Sequence, residues 1–313
     1  MIDLTQHHAR QAAHAALLYG STDEFVTGAL GFVDEGLDKD EPVLVSAPGQ
    51  EISVLRARMN GRSDEVSWTD ISEVGTNPGR IIPHLHAFAT AYAGRPVRCL
   101  QGLGWSARSA AEQSEAVRHE ALINLAFAAA PVRILCTYDS ARLDPAIIRS
   151  AMTTHPVLRR QGRAGSSSAY DARAVFPDEW NQPLPSAPAE AGMLPYRADL
   201  AAPRAYAARQ ASELGLPADR VLDLVLAVGE LTANTFCHTG AGGVLSIWTT
   251  GNELVCQVQD TGHITDPLAG RLRPAPDADS GHGLWTVHQV CDLVELRSDA
   301  GGTVARLHLR LDR

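Results

Sequence analysis

The chain has 313 residues, a length typical of about two domains. With 45% hydrophobic and 20% charged residues it can bury ordinary cores, which excludes a wholly disordered or collagen-like chain. The formal net charge of −9 argues against a direct nucleic-acid partner, because phosphate groups bind best to a basic surface.

No apolar run approaches the roughly 20 residues that a membrane-spanning helix needs, and residues 1–10 lack the basic and then apolar order of a secretion signal. We therefore expect a cytoplasmic protein with no membrane partner. The five cysteines lie far apart and form no CxxC pair. The sequence thus indicates neither a disulfide framework nor a zinc knuckle, and the cysteines are interpreted as small core residues.

Residues 1–176 form the first predicted domain, in which strand and helix patterns alternate. A helix is predicted from Ser21 to Leu37, with a Ser21/Glu24 capping box at its start. The apolar runs at 42–45 and 132–136 are typical of strands covered on both faces. Further helices are predicted at 81–92 and 108–129. This alternation predicts an α/β domain with a mostly parallel sheet, a RecA-like arrangement that lacks the G-x-x-x-x-G-K-[ST] P-loop.

Residues 177–193 are predicted to be a proline-rich linker. Pro177, Pro183, Pro185 and Pro188 each remove an amide donor and fix φ, which disfavours helices and inner strands. The preceding segment, 159–168, is rich in Arg, Gly and Ser and is predicted to be a loop of the first domain.

Residues 194–313 form the second predicted domain, in which helices precede a hairpin. Helices are predicted at 203–214 and 217–238, and hairpin strands at 244–250 and 254–259. A short helix at 284–291 and strands at 293–297 and 303–311 follow. This order predicts an α+β sandwich with helices on one face of the sheet.

Three polar residues follow one edge of the second helix of this domain. Glu230, Asn234 and His238 recur at positions i, i+4 and i+8. An Asn oxygen can bind Mg²⁺, and a Glu carboxylate can accept a proton from a nucleophile. Taken alone, the same pattern is also typical of a solvated helix face.

The strand ends add a carboxylate and a hydroxyl. Asp260 continues the inward parity of the second hairpin strand, and Thr303 faces inward at the start of the last strand. A buried carboxylate needs a partner, such as the exocyclic amine of a ligand, and Gly262 permits close approach. An ordinary turn aspartate is the alternative.

A glycine-containing turn opens the short helix. It reads Ser280-Gly281-His282-Gly283-Leu284, and glycines at a helix start expose amides that bind anions. One Gly-x-Gly alone is weakly specific.

The order Glu-x3-Asn, Asp-x-Gly, Gly-x-Gly-Leu and Gly-Thr resembles the N box, the two glycine boxes and the closing threonine of the GHKL ATP-binding superfamily, over residues 194–313. Within it, the segment ELTANTFCH and the lack of a preceding hairpin with an acceptor histidine look most like the anti-sigma-factor serine kinases.

This resemblance implies a role for each matching residue. Asn234 would coordinate the Mg²⁺ on the ATP phosphates, and Glu230 would be the general base on the incoming hydroxyl. Asp260 would accept the adenine amino group, and residues 266–280 would form a short lid. The other implied ATP-binding residues are His238, Gly262, Gly281, His282, Gly283, Leu284 and Thr303.

Two positions depart from the superfamily pattern. His263-Ile264 follow Gly262 where a second glycine is common, and His282 stands where arginine is frequent. These departures leave ATP binding better supported than catalysis. A metal site formed by His238, His263 and His282 is a weaker alternative, since the three are not at the ligand spacings of one motif.

The first domain resembles the MEDS sensory domain of methanogens and methylotrophs over about residues 10–160, through the segments HAALLYGSTDEF, EPVLVSAP, VRHEALINLAF, VRILCTYD and THPVL. The resemblance implies a domain that detects a small molecule or relays a signal from a partner. The residues proposed for its pocket are His14, Tyr19, Trp105, Glu120, Asn124 and Tyr138; Asp139 and His155 also match the pattern. Structural hydrogen bonds and core aromatic packing are the alternative for each of them.

The sequence therefore suggests a sensor-regulated anti-sigma factor. By resemblance it would bind ATP and Mg²⁺, sequester a sigma factor, and phosphorylate a STAS-domain anti-anti-sigma protein on Ser or Thr. A non-catalytic, ATP-gated binding module and a histidine kinase that acts on a partner chain stay open, as does a homodimer.

Overall fold

The computed structural model divides the chain into two compact units, Met1–Trp180 and Asn181–Arg313. The residues that it describes are 13–171, 182–197, 199–275, 277–278 and 281–312. Residues 177–181 of the predicted linker and residues 276, 279 and 280 of the predicted lid lie outside this described part. Ser280 also belongs to the predicted glycine turn.

Within its described residues, the first unit contains seven strands that alternate with helices. In chain order they are β1 (Ala13–Tyr19), α1 (Thr22–Leu37), β2 (Val43–Ala47), α2 (Gly49–Arg56), β3 (Val66–Asp70), α3 (Ile71–Val74), α4 (Ile81–Ala91), β4 (Val97–Gln101), α5 (Ala110–Ala126), β5 (Val132–Asp139), α6 (Pro145–Thr154), β6 (Val157–Arg160) and β7 (Arg163–Ser166). The sheet order is β3-β2-β4-β5-β1-β6-β7, and every pair except β6–β7 is parallel. The predicted mostly parallel α/β sheet is confirmed.

The turn between β1 and α1 explains how this unit begins its first helix. Ser21 Oγ accepts a hydrogen bond from the Glu24 amide at 3.3 Å. Glu24 Oε2 accepts one at 2.7 Å from Gly20 N, one residue earlier than a capping box requires. The Glu24 carboxylate therefore caps the turn between β1 and α1.

The prediction of a loop at 159–168 is wrong. Strands β6 and β7 form an antiparallel hairpin there. Gln161 and Gly162 connect them with φ values of 46° and 73°, and two residues of positive φ suit the tight turn of a twisted hairpin. The segment was missed because Arg, Gly and Ser carry little strand propensity.

In the described part of the second unit, three helices pack on a five-stranded antiparallel sheet. Its elements are β8 (Gly192–Tyr196), α7 (Ala201–Glu213), α8 (Ala218–Thr239), β9 (Gly243–Thr250), β10 (Glu253–Asp260), α9 (His282–Val290), β11 (Leu293–Asp299) and β12 (Gly302–Arg310). The sheet order is β11-β12-β10-β9-β8. Its core joins Leu224 and Val228 of α8 to Leu254 and Leu307 of the sheet. The predicted α+β sandwich is confirmed.

Strand β8 includes the last two residues of the predicted linker, 192 and 193, and lies at the sheet edge. Pro195 is compatible with this place because an edge strand does not need every amide in a ladder. The segment before β8 also contacts the sheet, since the carbonyl oxygens of Gln182 and Pro185 accept hydrogen bonds from Arg297 and Arg306.

Across the described residues, no helix combines the length and the apolar character that a membrane span requires.

His308 forms a buried ion-pair site inside the second sheet. Its Nδ1 lies 2.9 Å from Glu253 Oε2 on β10, and its Nε2 lies 3.0 Å from Glu295 Oε2 on β11. Burial alone would lower the pKa of His308, but the hydrogen bonds and charges of the two carboxylates raise it to about 9. The imidazolium therefore stabilises the contact of three strands at neutral pH.

This raised pKa predicts a pH-dependent stability. The contribution of His308 is fully present below its unfolded pKa of 6.5 and is lost as the pH rises through about 9. In urea unfolding of the full chain, the stability difference between wild type and His308→Gln should shrink by about 3 kcal/mol between about pH 6 and about pH 10. A difference that stays constant over this range would contradict the charged pair.

Candidate functional site

A cavity of about 320 Å³ opens between helix α8 and the ends of strands β10 and β12. Asp260 and Thr303 are direct cross-strand partners in the register of β10 and β12, so both reach the same end of the sheet. The apolar walls of the cavity come from Leu231, Val258, Ile264, Leu284, Leu296 and Ala305. The cavity thus joins an apolar interior to a few polar groups, as small-molecule sites do.

Hydrogen bonds from two directions hold the Asp260 carboxylate in this cavity. Asp260 Oδ1 accepts from the Gly262 amide at 2.7 Å, and Oδ2 accepts from Thr235 Oγ1 at 2.6 Å. Because Thr235 has one hydroxyl proton and gives it to Asp260, Tyr196 must donate its own to Thr235 Oγ1, 2.9 Å away. Each carboxylate oxygen keeps a lone pair for a further donor.

Thr303 fixes the turn that follows Asp260. Its hydroxyl donates to the Gly262 carbonyl oxygen at 2.9 Å and accepts from Ser298 Oγ at 2.7 Å. Ser298 Oγ in turn accepts from the Ile264 amide at 2.8 Å. This turn is therefore anchored on β11 and β12 even though His263-Ile264 replace the expected second glycine.

The start of α9 lies against the polar edge of α8. A Cβ atom on Gly283 would come within 2.9 Å of Glu230 Oε2 and 3.2 Å of Asn234 Nδ2, so a glycine permits this approach. Gly281 caps α9 with a φ of 92°, a conformation that L side chains rarely adopt. His282 Nε2 contacts the Ala278 carbonyl oxygen at 3.1 Å and so points to the preceding loop.

The structure brings most of the sequence-predicted ATP-site residues to this cavity. Those that line it are Asn234, His238, Asp260, Gly262, Leu284 and Thr303. Glu230 is next to Gly283, at the polar side of α8. Among the described residues, His238, His263 and His282 do not form a cluster of metal-ligand atoms.

Sequence reasoning missed Thr235 and Ser298. The helix pattern showed a polar edge but gave no reason to expect that a buried Thr next to Asn234 would reach a strand end. Ser298 could have been found from its cross-strand position opposite Thr303.

The residues proposed for the sensory pocket fall into two groups. Tyr19 and Trp105 line a cavity of about 570 Å³ at the carboxyl ends of β1, β2, β4 and β5, which is where parallel sheets bind ligands. His14 and Glu120 lie apart from that cavity, buried between the sheet and α5, and Asn124 contacts His14. Ring contacts join the two groups: Tyr138 stacks on Trp105 with 5.4 Å between centroids and meets His155 edge-on at 5.5 Å.

Glu51 is a cavity residue that sequence reasoning missed, because helix α2 was not predicted. Burial, together with the charge of Asp139, raises the pKa of Glu51 to about 7. Within the described chain its Oε2 has no hydrogen-bond partner. The larger cavity therefore contains a carboxyl group that is available to a ligand.

Family comparisons agree with both halves of this description. Residues 13–156 match the model described as MEDS, the methanogen/methylotroph DcmR sensory domain, and residues 196–309 match the histidine kinase-like ATPase domain. The chain joins a MEDS domain to a histidine kinase-like ATPase domain. Both resemblances drawn from the sequence motifs are thereby confirmed.

Among solved structures, the chain is similar to the RsbU and RsbW domains of Rv1364c from Mycobacterium tuberculosis. The identity is 23% and the TM-score 0.32, over 41% of this chain and 34% of that one, so the chain spans about a third of that structure's length. A comparison with curated proteins found no match.

The hydrogen bond from Thr235 to Asp260 predicts unequal effects for two buried threonines of α8. Thr235→Val should destabilise the ATPase domain by about 1–3 kcal/mol, because it leaves a partly buried carboxylate oxygen without its donor. Thr232→Val is the matched control, since Thr232 donates within its own helix to the Val228 carbonyl oxygen at 2.8 Å. Urea unfolding would compare them, and equal losses would argue against a special role for Thr235.

Proposed function

We propose that the ATPase domain binds ATP in the cavity between α8 and the ends of β10 and β12. The observation that carries this proposal is the Asp260 carboxylate, which is held rigidly among apolar walls with acceptor capacity left on both oxygens. The adenine amino group is a donor of the right chemistry, and the ring would fill the apolar interior. Thr303 and Gly262 would support the base.

The triphosphate would lie towards Asn234 and the start of α9. An Asn oxygen suits Mg²⁺, which prefers hard oxygen ligands, and the bound ion would neutralise phosphate charge. The residues present fit this ion, because the oxygen-bearing side chains of Asn234 and Glu230 lie together beside Gly283. A larger residue at position 283 would crowd both of them. The amides at the start of α9 would bind phosphate oxygens, aided by the helix dipole.

Glu230 would be the general base. It lies one helical turn before Asn234, so a hydroxyl that approaches the γ-phosphate would meet its carboxylate. We therefore propose that the domain phosphorylates a STAS-domain anti-anti-sigma protein on Ser or Thr and sequesters a sigma factor. The MEDS domain would set this activity in response to a small molecule.

A non-catalytic, ATP-gated binding module is the second candidate. It is favoured by His282, which stands where arginine is frequent and contacts a loop carbonyl rather than Glu230 or Asn234. Such a module would use ATP only to control which partner is bound.

Replacing Asp260 should weaken nucleotide binding. Asp260→Asn removes a charged acceptor and places an amide donor in the site, and we expect the affinity for ATP–Mg²⁺ to fall by about 10–100-fold in calorimetric titration of the full chain. Asp299→Asn is the control, because Asp299 likewise accepts from the amide two residues on, that of Gly301 at 2.7 Å, but is not among the described residues that line the cavity. Equal affinity for wild type and Asp260→Asn would place the adenine elsewhere.

Glu230→Gln separates catalysis from binding. A kinase should keep its affinity for ATP–Mg²⁺ but lose about 10²–10⁴-fold in phosphate transfer from labelled ATP to STAS-domain proteins. Glu213→Gln, an exposed change on α7, should leave transfer unchanged.

The chemical form of the product decides among the candidates. Acid-stable phosphate on Ser or Thr supports the serine/threonine kinase, and acid-labile phosphate indicates a histidine kinase that acts on a partner chain. If the wild type binds ATP and a sigma factor but yields no phosphoprotein, the binding module is the correct function.

A further inference from the structure

Four side chains with metal-ligand atoms meet in the interior of the MEDS domain. His14 comes from β1, Cys136 from β5, Glu120 from α5, and His155 directly follows α6. All four are buried, and one donor atom of each lies within 4.8 Å of every other. None of them takes part in the proposed ATP site.

Four separations between donor atoms approach those of a tetrahedral metal site. Glu120 Oε2 lies 3.2 Å from His14 Nε2, 3.3 Å from His155 Nε2 and 3.1 Å from Cys136 Sγ. His14 Nε2 lies 3.3 Å from Cys136 Sγ. Metal–ligand bonds of about 2.0–2.3 Å at tetrahedral angles place neighbouring donors about 3.3–3.7 Å apart.

The hydrogen bonds around His14 direct its lone pair into this cluster. Asn124 Nδ2 donates to the Thr154 carbonyl oxygen at 2.7 Å, which leaves Asn124 Oδ1 facing His14 Nδ1 at 3.1 Å. Nδ1 must then carry the proton. The Nε2 atom of the neutral imidazole then offers a lone pair to the cluster.

His155 is oriented in the same way. Its Nδ1 faces two acceptors, the Ala151 carbonyl oxygen at 2.8 Å and Thr154 Oγ1 at 3.0 Å. The Thr154 hydroxyl gives its own proton to the Ser150 carbonyl oxygen, so His155 Nδ1 is the donor. Its Nε2 has no hydrogen-bond partner within the described part of the chain.

Three potential ligand atoms converge on one carboxylate oxygen. The Nε2 atoms of His14 and His155 and the Sγ atom of Cys136 all lie within 3.3 Å of Glu120 Oε2. A divalent cation satisfies every donor at once, because one carboxylate and one thiolate neutralise its charge and two imidazoles complete four ligands. The Nδ1 atoms of the two histidines donate hydrogen bonds to Asn124 Oδ1 and to the Ala151 carbonyl oxygen. Such outer contacts orient metal-binding histidines.

We propose that His14, Glu120, Cys136 and His155 bind one divalent transition-metal ion of the zinc class. Thiolate and imidazole ligands favour zinc over magnesium or calcium, which take oxygen ligands. The ion would tie two strands to two helices of the MEDS domain. The bound cation would hold Cys136 as a thiolate.

Cobalt(II) substitution of the full chain tests this site. The exposed Cys237 is first changed to Ser, so that its thiol cannot bind metal on the surface. After removal of metal with a chelator, titration with Co²⁺ should produce a thiolate-to-cobalt charge-transfer band that saturates at one ion per chain. Zinc should displace the cobalt and abolish the band.

Two cysteine variants identify the ligand. Cys136→Ala should lose the band, whereas Cys99→Ala should keep it, because Cys99 is an equally buried thiol on strand β4 of the same sheet. Loss in both variants, or retention in Cys136→Ala, overturns the assignment. The titration of the Cys237→Ser parent depends on an exposed substitution only. A parent without the band, or with a stoichiometry far below one, also overturns the assignment.

Discussion

The candidate ATP site depends on one carboxylate at the end of a strand. Asp260 lies opposite Thr303 in the sheet register and under Thr235 of α8, so three elements must meet correctly for its oxygens to find their donors. A partly buried carboxylate without these partners would be costly. The same hydrogen bonds that hold Asp260 also set the distance between helix and sheet, and thereby the width of the cavity.

Much of this site could be predicted from sequence because it follows short periodicities. The spacing of Glu230 and Asn234 fixes them on one helix edge, and strand parity turns Asp260 and Thr303 inward. Contacts that join distant elements leave no such signal. The role of Thr235 is evident only from the packing of α8 on β10. The need for glycine at position 283 is evident only from the approach of α9 to Glu230.

In the MEDS domain the sequence indicated the sheet but not the arrangement of its polar residues. Parallel strands covered on both faces give long apolar runs, which predict the layer order well. The matched residues looked like one pocket, yet Tyr19 and Trp105 line the cavity at the strand ends while His14 and Glu120 lie in the interior. In the sequence, Cys136 looked like a core residue. The four side chains that lie within metal-ligand distance of one another belong to separate elements of the fold, so no short sequence motif joins them. In the β6–β7 hairpin the sequence indicated a loop instead. A tight turn there joins two strands despite the weak strand propensity of their residues.

The rings of Trp105, Tyr138 and His155 have a mechanical consequence. Each touches the next, from the wall of the larger cavity to the buried cluster, and close-packed interiors leave no free space for one ring to tilt alone. A molecule that pushes on the indole must therefore displace the phenol ring or stop short of it. A displaced phenol ring would in turn press on the imidazole at the far end, so a movement at the cavity wall would reach the buried cluster.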